Sequence, residues 1–547
     1  MSGTWTGLTH QPTFAASTML LLTDGGVMCQ QSGGVNWSKL TPDSSGSYIN
    51  GTWSALAPMA NTRLYYASAV LRDGRVIVCG GEYSDAGSET NACEIYDPVA
   101  DAWSSVAPPA GWTNVGDAAS CILPDGRLLL GYYSGTKTAI YDPVAGTWAA
   151  GPTKGASASE ESWTLLPDET VLTVQCSNRP NAEKYVAAAN AWASAGTLPV
   201  DLVEAASIEI GPGVLLPDGR AFCVGATSHT ALYTPPPIAS QAGTWAAGPD
   251  FPSIGGKTIG AKDAPGCLMP NGKVLLVGGP VDGVSNDYLS PTYFFEFDGS
   301  TLTQVASPPN NGGPPYTGRM MLLPNGDVLF AAGTNAMYNY SPGGAPDASW
   351  RPTIVGAPAW LRQGSAYTLQ GRQINGLSQA VAYGDDATMA TNYPLVRIRN
   401  IASGHITYCR TYDHSSMGVA TGTAVHSTNF SVPFTTPTGM SELTVIANGI
   451  PSTGITLNVV RFFWVDPHLF EVWARLIGSL ADGPLWVWGP HGPVPVDPMR
   501  DEKLVKQAKQ ARAEMLQAMK TLMQLGKEVV QARQKQAAAV APAVDED

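Results

Sequence analysis

The sequence predicts an all-β protein: a seven-bladed β-propeller, then a β-sandwich, then a helical extension. Three observations predict it. A strand-turn-strand unit occurs seven times, an aromatic pair recurs late in most units, and the 547 residues include 59 Gly and 43 Pro with only 14% charged side chains. Gly and Pro at that density, with 15 Trp and 20 Tyr, describe many short strands joined by tight turns. The chain is also too long for one core, so two or three domains are expected.

The repeated unit reads LLLTDGGVMC, AVLRDGRVIVCGG, CILPDGRLLLG, TLLPDETVLTV, LLPDGRAFCVG, CLMPNGKVLLVGG and MLLPNGDVLFAAG. Apolar runs flank an Asp-Gly or Asn-Gly step, which supplies the positive φ of a two-residue hairpin turn. The turn residues Asp24, Asp73, Asp125, Asp168, Asp218, Asn271 and Asn325 are spaced by 49, 52, 43, 50, 53 and 54 residues. That period is one propeller blade of the kelch type per unit.

Late in the units come aromatic pairs, Tyr96 with Trp103, Tyr141 with Trp148 and Tyr185 with Trp192, and Trp53, Trp245 and Trp350 repeat the Trp position. A large aromatic between neighbouring blades buries roughly 150 to 250 Å2, which suits a ring held by blade-to-blade packing. Trp5 resembles one more outer-strand Trp but precedes the first hairpin, so the N-terminal strand is expected to complete the last blade. Closing the ring this way removes open sheet edges. The propeller is expected over residues 1–355.

Beyond it the turns stop and short alternating strands take over, among them SAYTLQGRQI, LVRIRNI, HITYCRTY, LTVIANG and GITLNVV. They predict an immunoglobulin-like β-sandwich over 356–460. Residues 461–499 form an aromatic and Pro-rich linker. From 500 to 547 the composition becomes helical, with Asp497 and Pro498 as start signals and a frayed AAAVAPAVDED tail. Leu504, Ala508, Ala511, Met515, Ala518, Leu522, Leu525, Val529 and Ala532 form a heptad stripe, which offers self-association or docking through 500–536.

A net charge of −13 argues against nucleic-acid or anionic-membrane partners, since both reward a basic face. No apolar run is long enough to span a membrane. The N-terminus MSGTWTGLTHQPTF has no basic and apolar leader. The expected location is therefore cytoplasmic by default, or reached by a non-Sec route or within an assembly. The eight cysteines fall at related places in different blades and are expected to be free and buried.

The blades RLYYASAVLRDGRVIVCGG and PPYTGRMMLLPNGDVLF, with GLSQAVAYGDDATMATNYPLVRI and YCRTYDHSSM in the sandwich, resemble the galactose oxidase and glyoxal oxidase family over about residues 1 to 460. The resemblance implies a mononuclear copper held by two Tyr and two His, one Tyr joined to a Cys by a thioether, and oxidation of primary alcohols or aldehydes with release of peroxide. Tyr65 resembles the cross-linked Tyr and Tyr316 the axial Tyr. Where a ligand His is implied stands Thr317, a poor copper donor, and where the Cys is implied stands Ala16. His414 in TYDHSSM is the nearest match to the sandwich His, with His405 second.

The eighth residue before each turn should reach the axis on one face of the ring. That position holds Ala16, Tyr65, Asp117, Glu160, Ile210, Asp263 and Thr317, with Glu161 beside Glu160 and Lys262 beside Asp263. Asp117, Glu160 and Asp263 predict an acidic, aromatic-lined mouth suited to a calcium-like cation, a glycan or a cationic ligand. The favoured function is a noncatalytic recognition or assembly protein that binds a glycan, cation or protein partner. The alternative is a copper oxidase with a rearranged site built from Tyr316, His414 and Tyr65.

Overall fold

The computed structural model describes residues 3–85, 87–384 and 389–461, strands at 486–489 and 492–495, and scattered helical positions between 506 and 524. Seven antiparallel sheets form blades 1 to 7, beginning at Ala16, Ala67, Ser120, Trp163, Gly213, Gly266 and Gly318; six have four strands, and two further short strands join blade 6. The first strand of each blade touches the first strands of its two neighbours, and the seven close into a ring around the axis. Blade 7 supplies only three strands of its own; Thr4–Gly7 is its outer strand, with Trp5 opposite Tyr340.

The hairpin turns differ from the two-residue form. In every blade the residue before the loop bonds across it, as Leu71 N does to Arg75 O at 2.8 Å, while Gly74 N donates to Leu71 O at 2.9 Å. Those bonds define a three-residue loop with one left-handed residue, which is the Gly of Asp-Gly (φ 84° at Gly74) or, in blade 4, Glu169 (φ 66°). Asp contributes through its side chain instead: Asp73 Oδ1 accepts from Arg75 N at 3.0 Å.

The outer-strand Trp residues do more than pack. Trp5, Trp53, Trp103 and Trp245 donate Nε1 to Ala306, His10, Ala57 and Ala195 carbonyls at 2.7 to 3.0 Å, each on or just after the outer strand of the preceding blade. The expected role of Trp350 is corrected. It lies in a turn after blade 7, against Gly272, and Trp5 fills the outer position. All eight cysteines are free and buried.

Two sheets make the sandwich. One pairs Thr353–Gly356, Ala366–Arg372 and Val425–Ser431; the other pairs Leu395–Asn400, Gly439–Ala447, Ile455–Val460 and Trp360–Arg362. Ile406–Tyr412 belongs to both, bonding Leu395–Asn400 up to Cys409 and Val425–Ser431 from Arg410. Leu369, Val396, Cys409, Phe430 and Leu443 lie in the core between them. The sandwich covers the hairpin-turn face of the ring: Ile406 N reaches Ser44 O at 2.8 Å, and Arg410 Nη2 reaches Asp73 O at 2.8 Å. Propeller and sandwich form one compact unit, Met1–Arg461.

From the sandwich, residues 376–384 enter the ring. Val381–Ala382 pairs with the inner strand Gly266–Leu268 of blade 6, and Gln379 takes the Leu165 N–H of blade 4 at 2.9 Å while reaching Cys121 of blade 3. A segment that meets three inner strands this far apart runs along the axis and plugs it.

The second unit, Phe462–Asp547, is described in part. Trp486–Gly489 and Gly492–Pro495 pair antiparallel within the tract read as a linker. Helical positions include Gln510, which bonds Glu514 at 3.1 Å, and Gln517, whose carbonyl accepts from Thr521 at 3.0 Å. The nine heptad positions lie outside the described residues. Among the described residues, no helix is long and apolar enough to cross a membrane.

Two measurements check this architecture. Trp103→Phe, which keeps the ring but loses the bond to Ala57, is expected to cost about 1 kcal/mol in chemical unfolding, and Trp103→Ala about 3 kcal/mol. Gln379→Ala strands the buried Leu165 N–H and should cost about 1 to 3 kcal/mol.

Candidate functional site

With the turn face covered and the axis plugged, the open face is where the inner strands begin. Here Tyr65, Glu160 and Asp263 share one conformation, φ 49°, 58° and 47°. They are the eighth residues before the turns of blades 2, 4 and 6. Left-handed backbone costs a non-Gly residue roughly 1 to 3 kcal/mol, and such strain gathers at functional sites.

Carboxylates of this face lie within electrostatic reach of its tyrosines. Burial, then Glu160, Glu89, Glu82 and Asp117, push the Tyr133 phenol up to about 12. Burial and Glu209, followed by Asp263 and Glu160, hold the Tyr288 phenol far above the usual range, and Tyr288 donates a hydrogen bond to Glu209. Glu160 therefore acts on tyrosines on both sides of the bowl. Asp117 lies beside it, next to the Ala118–Ser159 bridge between blades 3 and 4. A recess of about 520 Å3, lined by Glu82, Tyr83, Ser88, Glu89, Thr113 and Asn114, opens at the rim. Lys262 lies 4.4 Å from the Tyr288 ring centre and 3.6 Å from Glu204.

At the centre sit Tyr316, Tyr383 and Arg319. The Tyr383 hydroxyl lies 2.6 Å from Tyr316 O and 3.0 Å from Asp263 Oδ2, and Tyr316 packs edge-on to Tyr288 at 4.9 Å. The Arg319 guanidinium, on a side chain 3% exposed, lies 3.8 Å from the Tyr383 ring centre and 5.8 Å from that of Tyr65. Its Nη1 donates to Tyr316 O at 2.7 Å and Gly318 O at 2.8 Å. Sequence reasoning passed over Arg319 and Tyr383; the signal was an Arg at an inner-strand position that is apolar or Ser in most other blades.

Three predicted residues belong elsewhere. Thr317 spends its hydroxyl on Pro314 O at 2.8 Å, inside its own turn. Glu161 is buried behind the mouth, 2.8 Å from Lys154, and accepts from Trp163 Nε1 at 3.0 Å and Thr173 Oγ1 at 3.1 Å. His414 is not brought to Tyr316: its backbone bonds Arg72 O at the turn face, and its Nδ1 meets Thr428 Oγ1 at 2.9 Å. The turn face is about 20 Å from the mouth, seven strand residues away. Burial, then Arg72 and Arg410, push the imidazole down to about 3, so it is neutral. His405 lies in a cleft between the sandwich and blade 1 at the same face.

Among the described residues, no His stands with Tyr65 and Tyr316, and no group of three or more His, Cys, Asp or Glu is placed to hold a metal ion. Arg319 adds a fixed positive charge. A divalent ion about 4 Å from a guanidinium is opposed by about 8 kcal/mol at an effective dielectric of 20.

Residues 63–110 match the kelch motif. They span blade 2, including Tyr65. The kelch propeller also resembles a solved structure, a fungal alcohol oxidase of the AA5 family in complex with copper, with 16% identity and a TM-score of 0.48 over 84% of this chain and 99% of that one. No curated protein sequence matches.

Behind the kelch mouth, burial raises Glu161 from an ordinary 4.5 to about 7, against the opposing pull of Lys154. A carboxyl raised on folding contributes stability below pH 4.5 and loses it as pH rises through 7. Unfolding midpoints are therefore expected to fall between pH 5 and pH 8, and Glu161→Gln to flatten that slope; thermal melts across the range check it.

Proposed function

We propose that this protein is a noncatalytic recognition propeller that binds a polyhydroxylated ligand, a glycan chain, at the open face of the ring. One observation carries the reading: Tyr65, Glu160 and Asp263 are held in left-handed backbone at the same place in alternate blades, which turns a phenol and two carboxylates toward one bowl. Carboxylates accept hydrogen bonds from sugar hydroxyls, and tyrosine rings cover the apolar faces of sugar rings. A charge of −13 favours neutral or cationic saccharides over acidic ones. The heptad stripe over 500–536 supplies attachment or self-association in this reading.

A glycan array with the full chain, followed by calorimetry on the retained oligosaccharides, tests the proposal. Glu160→Gln and Asp263→Asn are expected to weaken binding at least about tenfold, or 1.4 kcal/mol, with little change in the melting midpoint. Retention of no neutral or cationic glycan, or binding indifferent to both substitutions, sinks it.

A further inference from the structure

We propose that Arg319 is a resident organic cation, standing at the axis of this propeller where the family resemblance implies a copper ion. The guanidinium lies among the two tyrosines that the resemblance assigns to the metal, Tyr65 and Tyr316, and a third that it does not, Tyr383. It bonds the Tyr316 carbonyl, lies near the Tyr65 ring, and stacks on Tyr383, whose hydroxyl meets Asp263. Its own contacts come from blades 2 and 7 and from the threaded segment, so one side chain ties three parts of the mouth together, and Tyr383 extends the set to Asp263 of blade 6. It is also built in rather than recruited: its Nη1 is anchored to its own strand entry at Tyr316 and Gly318.

The chemistry of the replacement follows. A planar, delocalised cation stacks on phenol rings and donates in a fixed fork. It offers no coordination position and no second oxidation state. The tyrosines around it stay closed-shell phenols and act as walls and hydrogen-bonding groups. Thr317 and Ala16, which stand where the resemblance implies a His ligand and a thioether Cys, are then consistent partners of Arg319. This inference concerns what holds the mouth together and does not depend on which ligand the mouth takes.

The test is made on the full chain with copper and with guanidinium as probes. After exposure to Cu(II) and removal of loose ions, elemental analysis is expected to find no stoichiometric copper in the native protein. Arg319→Ala should lower the melting midpoint by several degrees. Guanidinium or methylguanidinium at low millimolar concentration should restore much of that loss, without raising the native midpoint and without the same effect from sodium chloride. Arg319→Lys, which keeps the charge but loses the stacking plane, should melt between the two and remain measurable if the alanine variant fails to fold. A full equivalent of copper in the native protein overturns the proposal. So does an alanine variant indifferent to guanidinium, or a lysine variant as stable as the native chain.

Discussion

The passage of residues 376–384 along the propeller axis is the constraint on which the rest of the site depends. The Gln379 side chain bridges blades 3 and 4, Val381–Ala382 adds a strand to blade 6, and Tyr383 arrives against Tyr316 and Asp263. A ring of seven sheets alone leaves a central channel with inner-strand edges facing it. Filling that channel with backbone that pairs and with an amide that satisfies a buried N–H makes the ring solid. It also floors the mouth with a tyrosine, so the open face is a bowl and not a pore.

Much of this fold was legible because the blade is a repeat, and a repeat averages out local ambiguity. Seven Asp-Gly, Asn-Gly or equivalent steps at one period locate seven hairpins whatever the exact turn. The turn type is not legible in the same way, because Asp-Gly suits two loop types and the choice rests on backbone bonds across the loop, as at Leu71 and Arg75, which composition does not report. Trp350 and Trp5 show the opposite difficulty. Both match the spacing, but a ring closed by its first strand needs only one of them, and pairing with Tyr340 selects Trp5.

The site was legible where the repeat reached it. Counting back from the turns finds Tyr65, Asp117, Glu160 and Asp263, because equivalent positions in a propeller share a height. It fails where chemistry depends on direction. Glu160 and Glu161 are neighbours, but left-handed backbone turns the first toward the bowl while the second pairs with Lys154 in the blade interior. His414 matches by residue type alone; the sandwich sends a different segment into the ring, and GLSQAVAYGDDATMATNY contains no histidine. Arg319 escaped notice because an arginine on an inner strand reads as an anomaly until its stacking partners come from elsewhere in the chain.

The N-terminal strand has a consequence for how the chain is made. Thr4–Gly7 leaves the ribosome before its partner Tyr338–Ser341, which is synthesised more than three hundred residues later. At 5 to 20 residues per second that strand waits roughly 20 to 70 s for the sheet it belongs to. Throughout that interval the nascent propeller is an open arc with a bare edge at each end, and a ribosome that stalls before residue 341 releases a chain that cannot close.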